Sequence, residues 1–137
     1  MQLQEICVSS ATANLAEIAD FVAERAALAG LDEEQVFAVQ MAVDEACTNS
    51  MQHAYEGRAD GEVRICCYVD DDDFVVQIFD HGKRFDPEAV PEPDLASPLE
   101  ERAIGGLGVF FMRRLMDCVE FTADEGGNLV TLRKAIK

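Results

Sequence analysis

The sequence predicts an α+β fold: a two-layer sandwich in which a mostly antiparallel, mixed sheet carries three helices on one face. Three observations predict it. Two segments near the N-terminus repeat apolar residues at helical spacing between capping signals. Two pairs of β-rich runs are each joined by a short polar tip. A glycine cluster opens a third helical stretch between those pairs. The order is therefore strand, helix, helix, hairpin, long loop, helix, hairpin, and consecutive hairpins imply antiparallel pairing with helices layered on one side.

Gln2–Val8 is the first strand, with poor alternation. From Thr12 to Ala29 the residues Leu15, Ile18, Val22 and Ala26 recur at helical spacing. Asn14 followed by Glu17 predicts a capping box, and Gly30 stands where a C-terminal cap belongs. A second helix starts at Asp32, with Gln35 as capping partner, and runs to about Tyr55. Its core stripe is Val36, Val39, Val43, Cys47, Met51 and Ala54. After a turn-rich break from Gly57 to Gly61, Glu62–Val69 and Phe74–Asp80 form a hairpin across an aspartate tip. The stretch 81–104 holds all four prolines (Pro87, Pro91, Pro93, Pro98) and little periodicity; a loop of that length in a compact domain is usually functional or mobile. Gly105–Gly108 then lead into a third helix ending near Asp117. Cys118–Ala123 and Asn128–Ile136 make the last hairpin. No repeat or linker interrupts the pattern, so 1–137 reads as one domain.

The 137 residues are 49% apolar, enough for a core without disulfides or metals. Eleven basic against 27 acidic residues leave a formal charge of −16, a field that repels nucleic acid and anionic lipid. There is no leader-like segment and no apolar run near the roughly 18 residues a membrane span needs. The expectation is a cytoplasmic protein with neither nucleic acid nor membrane as direct partner. Cys7, Cys47, Cys66, Cys67 and Cys118 are odd in number and lack zinc-ligand spacing, so they are expected as reduced thiols, mostly buried. Cys66 and Cys67 point to opposite faces of their strand.

Three polar constellations carry the chemistry. On helix two, Glu45, Asn49 and His53 stand four apart, each rotated about 40° and raised about 6 Å from the last. A carboxylate can activate a nucleophile there, and an amide oxygen can ligate magnesium one turn away. The plainer alternative is the wet face of an amphipathic helix. Asp80–His81–Gly82 ends an apolar strand; its acid can accept from an exocyclic amine such as adenine's, and its glycine admits a flat ring, although an ordinary Asp–Gly turn has the same form. Gly105, Gly106 and Gly108 free backbone amides for phosphate at a helix start, without forming a P-loop or a dinucleotide fingerprint. A flexible helix entry would look similar.

In order, M-A-V-D-E-A-C-T-N-S-M-Q-H-A-Y (41–55), F-D-H-G-K-R-F-D-P (79–87) and G-G-L-G-V-F-F-M-R-R-L-M-D (105–117) resemble the GHKL ATPase superfamily. Within it, they look most like the stand-alone anti-sigma factor serine/threonine kinases of bacteria, over about residues 10 to 137. The resemblance implies a Bergerat-type ATP-binding fold. It places Glu45 as the catalytic carboxylate, Asn49 as magnesium ligand and His53 near the phosphates. Asp80 becomes the adenine-reading acid with Gly82 beside it. Gly105, Gly106, Leu107 and Gly108 become the phosphate cradle, and 87–104 the ATP lid. Two positions depart from the pattern. Arg84 stands where many members have a second glycine. Gly127–Asn128 replaces a Gly-Thr pair near the adenine-binding acid, leaving the reach of Asn128 in question.

The implied activity is phosphoryl transfer from ATP, with magnesium, to a Ser or Thr of an anti-sigma factor antagonist. A sigma factor is a second, competing partner, and a homodimer is expected from the family. Arg102, or Lys83 and Arg84, would offset the −16 background locally. Arg113 and Arg114 lie too far along helix three for that. Two alternatives stay open: a nucleotide-gated protein-binding module with little or no phosphotransfer, and an α+β interaction domain without ligand.

Overall fold

The structure, a computed structural model, describes residues 3–84, 106–124 and 126–136. In chain order its elements are β1 (Gln4–Ser9), α1 (Leu15–Ala29), α2 (Glu33–Asn49), a π-helical segment (Ser50–Ala54), β2 (Glu62–Asp70), β3 (Asp73–Asp80), α3 (Gly106–Leu115), β4 (Cys118–Asp124) and β5 (Gly127–Ala135). The sheet order is β1-β2-β3-β5-β4, and every pairing among the described residues is antiparallel. The parallel component of the expected mixed sheet does not arise. Two helices in succession return the chain to the end of the sheet it left, so β2 runs against β1. β3 and β4 share a direction, but β5 lies between them.

One face of the sheet is lined up for burial by its register. Ile65, Ile78 and Val130 stand side by side, as do Cys67, Val76 and Leu132. All are buried against Ile18, Val22 and Ala26 of α1, Val39, Val43 and Cys47 of α2, and Val109, Met112 and Met116 at α3. Fully buried side chains of this size contribute about 1.5–3 kcal/mol each. Helix α2 packs between α1 and α3 over the sheet, so it is held from three sides. β1 sits at a sheet edge and sends only Ile6 and Val8 toward the core, which accounts for its weak alternation.

The local signals have mixed outcomes. Asp32 Oδ1 accepts from the Gln35 amide at 2.8 Å and Gln35 Oε1 accepts from the Asp32 amide at 2.9 Å, the expected capping box. Gly30 ends α1 in the left-handed region, with φ of 107°. Asn14 makes no cap: it closes a 3-10 turn, Thr12–Asn14, in helical conformation, and its side-chain amide donates to Ser9 instead. The second helix also does not stay α-helical to Tyr55. Beyond Asn49 it widens, and the Tyr55 amide donates to the Ser50 carbonyl, five residues back. The wide turn keeps Met51 and Ala54 buried.

All five cysteines are free thiols, as expected, but only Cys47 and Cys67 are buried. Burial pushes the Cys67 thiol up to about 12, and Cys47 is raised by the same cause, so both stay protonated core groups. Among the described residues no helix is long and apolar enough to cross a membrane.

Candidate active site

The C-terminal half of α2, the π-segment and the ends of β3, β4 and β5 surround a narrow cleft that opens to solvent. Asn49, Ser50, Asp80 and Asn128 bring their polar groups to it, with Ala46, Ala54, Phe121 and Val130 among its apolar walls. Residues from three distant parts of the sequence thus meet in one place. Glu45 stands one helical turn from Asn49.

Asp80 is the best-anchored of these groups. It is 3% exposed, at the last position of β3, directly paired with Asn128 of β5. Its Oδ2 accepts from the Ser50 hydroxyl at 2.7 Å. Its Oδ1 accepts from the Gly82 amide at 2.9 Å and from the Asn128 side-chain amide at 2.9 Å. The same Asn128 nitrogen donates to the Lys83 carbonyl at 2.8 Å. Both neighbours of that nitrogen are pure acceptors, which fixes the orientation of the amide. Asn128 therefore reaches Asp80 despite replacing a threonine.

Two glycines are required by close approach. Gly127 has φ of 139°, and a Cβ there would overlap the Asp80 carbonyl oxygen. A Cβ on Gly82 would stand 2.6 Å from the Ala54 carbonyl, where the Lys83 amide also donates at 2.7 Å. Neighbouring strands and the end of the π-segment can meet only because both positions lack side chains.

The phosphate-side residues differ in kind. Glu45 is half-buried, and its carboxyl pKa is raised above the ordinary value, first by burial and then by the adjacent Asp44. Such a shift suits a general base, whose proton affinity must approach the working pH. The Asn49 side-chain nitrogen is buried with no hydrogen-bond partner. An orphaned buried amide is uncommon and costs about 1–3 kcal/mol, so this side chain retains capacity for a ligand.

His53 does not continue the stripe of Glu45 and Asn49. It lies in the π-segment, where the wider wind changes the phase of a four-residue step, and it is exposed. Gly106, Leu107 and Gly108 form the first turn of α3, which packs beside α2. Arg102 and Gly105, and the expected lid at 87–104, lie outside the described residues. Lys83 and Arg84 are exposed just past Asp80. Arg113 and Arg114 are exposed on α3, their guanidinium groups over the Phe121 and Phe110 rings. His81 packs edge-on against Phe79, and its Nδ1 lies 2.9 Å from the Gly126 carbonyl. A carbonyl only accepts, so Nδ1 carries the proton and ties the β4–β5 turn to the end of β3.

Sequence reasoning missed Ser50 and Tyr55. Tyr55 is buried, and its hydroxyl donates to the Glu62 carbonyl while accepting from the His81 amide at 2.7 Å. It braces the chain leaving β3. No periodicity marks either residue; the only signal was that both lie inside the 41–55 motif.

A family model for the histidine kinase-like ATPase domain matches residues 8–134. The chain belongs to this family. Within it, the chain is 37% identical over 109 residues to the serine-protein kinase RsbW of Listeria monocytogenes, covering 77% of this chain and 69% of that protein. It is 40% identical over 100 residues to RsbW of Bacillus pumilus, covering 68% and 61%. These relatives place the chain with the RsbW group of serine-protein kinases. The fold superposes with a TM-score of 0.72 on a structure of the RsbU and RsbW domains of a Mycobacterium tuberculosis protein, at 14% identity, over 99% of this chain and 33% of that one. A histidine kinase domain from Erythrobacter litoralis gives 0.53 at 20% identity. The two structural likenesses speak to the fold alone, an α+β architecture.

Proposed function

We propose that the chain is an ATP-dependent serine/threonine protein kinase that regulates an anti-sigma factor system by phosphorylating an antagonist protein. The observation that carries this reading is the meeting of Asn49 and Asp80 in one cleft, with the half-buried Glu45 one turn away along α2. In this reading Asp80 accepts from the exocyclic amine of adenine, and the apolar walls around Val130 hold the ring. The phosphates extend toward Asn49 and the first turn of α3, whose backbone amides face negative charge favourably.

The Asn49 side-chain oxygen would be the atom to hold magnesium, and its buried, unpartnered nitrogen has a proton free to donate to a phosphate oxygen. Magnesium, when bound, neutralises phosphate charge, which matters in a chain of charge −16. Glu45 takes the proton of the acceptor hydroxyl. The hydroxyl oxygen bonds to the γ-phosphorus as the bond to the β–γ bridging oxygen breaks, leaving ADP and a phosphorylated Ser or Thr. Lys83 and Arg84 supply local positive charge near the base. A sigma factor and a second copy of this chain are further partners in the same reading.

The test is calorimetry with magnesium and ATP on the wild type, Asp80→Asn and Asn49→Ala, followed by transfer of labelled γ-phosphate to a purified antagonist protein. Tight binding weakened by both substitutions, with label appearing on the antagonist, is the expected result. Binding without any transfer would make the chain a nucleotide-gated binding module. No binding by the folded wild type would end the ATP reading.

A further inference from the structure

We infer that Asn128 is a positioning residue for base selection: by holding Asp80 Oδ1 and the Lys83 carbonyl together, it leaves Asp80 Oδ2 as the atom that accepts the exocyclic amine. The inference rests on the ATP reading above and adds the atoms that do the selecting.

A carboxylate offers about four lone-pair positions. On Asp80, Oδ1 has two donors, the Gly82 amide and the Asn128 side chain, both at 2.9 Å. Oδ2 has one, the Ser50 hydroxyl at 2.7 Å. The acid is 3% exposed, and Ser50 lines the same cleft. The vacancy for a further donor is therefore on Oδ2, beside Ser50. A 6-amino purine brings a proton to that position. A 6-oxo purine brings a second oxygen, which a carboxylate held in place cannot turn away from.

Asn128 contributes what a hydroxyl cannot. Its nitrogen carries two protons, one for Asp80 Oδ1 and one for the Lys83 carbonyl. The plane of the carboxylate and the path of the chain leaving β3 are thereby fixed by one buried group, itself set by its pairing with Asp80 across the β3–β5 register. A threonine has a single proton and could serve only one of the two acceptors. Asparagine in this place gives the site a double tie.

The experiment compares ATP with inosine triphosphate, which carries an oxo group in place of the amine. Affinities of both, with magnesium, are measured by calorimetry on the wild type, Asn128→Ala, Asn128→Thr, Ser50→Ala and Asp80→Asn. Asn128→Ala is expected to weaken ATP about ten- to hundred-fold, the loss of one hydrogen bond to a charged group. Inosine triphosphate should stay within about two-fold, so the preference for ATP collapses toward that of Asp80→Asn. Asn128→Thr should keep part of the preference, and Asn128→Ala added to Asp80→Asn should change little further, because the two act as one unit. Equal losses for both nucleotides would make Asn128 a general structural residue and overturn the inference, as would an unmoved preference. If Asn128→Ala does not fold, Asn128→Thr and Ser50→Ala carry the same comparison, both with a reduced preference expected. A folded wild type that binds neither nucleotide would remove the ATP reading itself; one that binds ATP with the preference insensitive to Asn128 and Ser50 removes only this inference.

Discussion

The two ends of the cleft are built on opposite principles. At the Asp80 end the carboxylate is buried and held by three donors from three segments, Ser50, Gly82 and Asn128. On the α2 side the Asn49 nitrogen is buried without a partner, and one turn back along the helix Glu45 is half-buried beside Asp44. Recognition of a base needs fixed geometry, and folding supplies it in advance. Chemistry on a phosphate needs groups whose bonding capacity is still unspent, and folding leaves two such groups strained or unsatisfied. The first end adds to stability and the second subtracts from it.

The largest effect should come from Glu45→Gln, which removes the base but keeps the shape. Phosphotransfer should fall about 10²- to 10⁴-fold, while calorimetry finds ATP affinity changed by no more than a few-fold. The same variant should melt at a higher temperature than wild type at neutral pH. Because the folded pKa of Glu45 is raised, its proton is held more tightly in the folded chain. The contribution to stability is present below the ordinary value of 4.5 and lost as pH rises through the raised one. A lower melting temperature at neutral pH, measured by calorimetric scan, would break the contrast between the two ends.

Gly127→Ala comes next. Its Cβ would overlap the Asp80 carbonyl at a backbone angle that disfavours side chains, costing about 2–5 kcal/mol. Denaturant unfolding checks this, and a variant of unchanged stability would mean the Asp80 end is looser than its bonds indicate. Asn49→Ala should be smaller and opposite in character. Magnesium-dependent ATP affinity should drop about ten-fold, yet stability should not fall, since no protein hydrogen bond is lost and an unpartnered buried amide is removed. Least of all, Asp44→Asn removes a like charge beside Glu45 and should move the acid limb of the phosphotransfer rate to lower pH. An unmoved limb in a pH–rate profile would leave burial as the sole cause of the raised value.

The meeting of Asn49 and Asp80 was legible in the sequence because residue type and order carry both, whereas Asn128 departs from the pattern and its reach to Asp80 was seen only in the structure. Also legible was the start of α2, where Asp32 and Gln35 satisfy each other within a single turn. Asn14 has the same local form and fails, because Ser9 offers its side chain better partners. Ser50 and Tyr55 were illegible for a related reason: Asp80 and His81, the groups they hold, lie 30 and 26 residues further on. The π-segment was illegible too. Its residues have no unusual propensity, and what widens the turn is the need to keep Met51 and Ala54 in the core while the chain turns toward β2. The absence of a parallel pair among the described strands was not legible, because β3 and β4 share a direction and only the insertion of β5 between them keeps them from pairing.

The widened turn at Ser50–Ala54 also determines how this part of the chain tolerates change in length. Gln52 and His53 are exposed there, and substituting either alters little that is buried. Deleting one residue is different. The segment could close as ordinary α-helix, and each position beyond it would swing by about 100°. Ala54 would leave the Lys83 amide, and Tyr55 would leave both Glu62 and His81. What this stretch must keep is its residue count, with the identities of its outward side chains largely free.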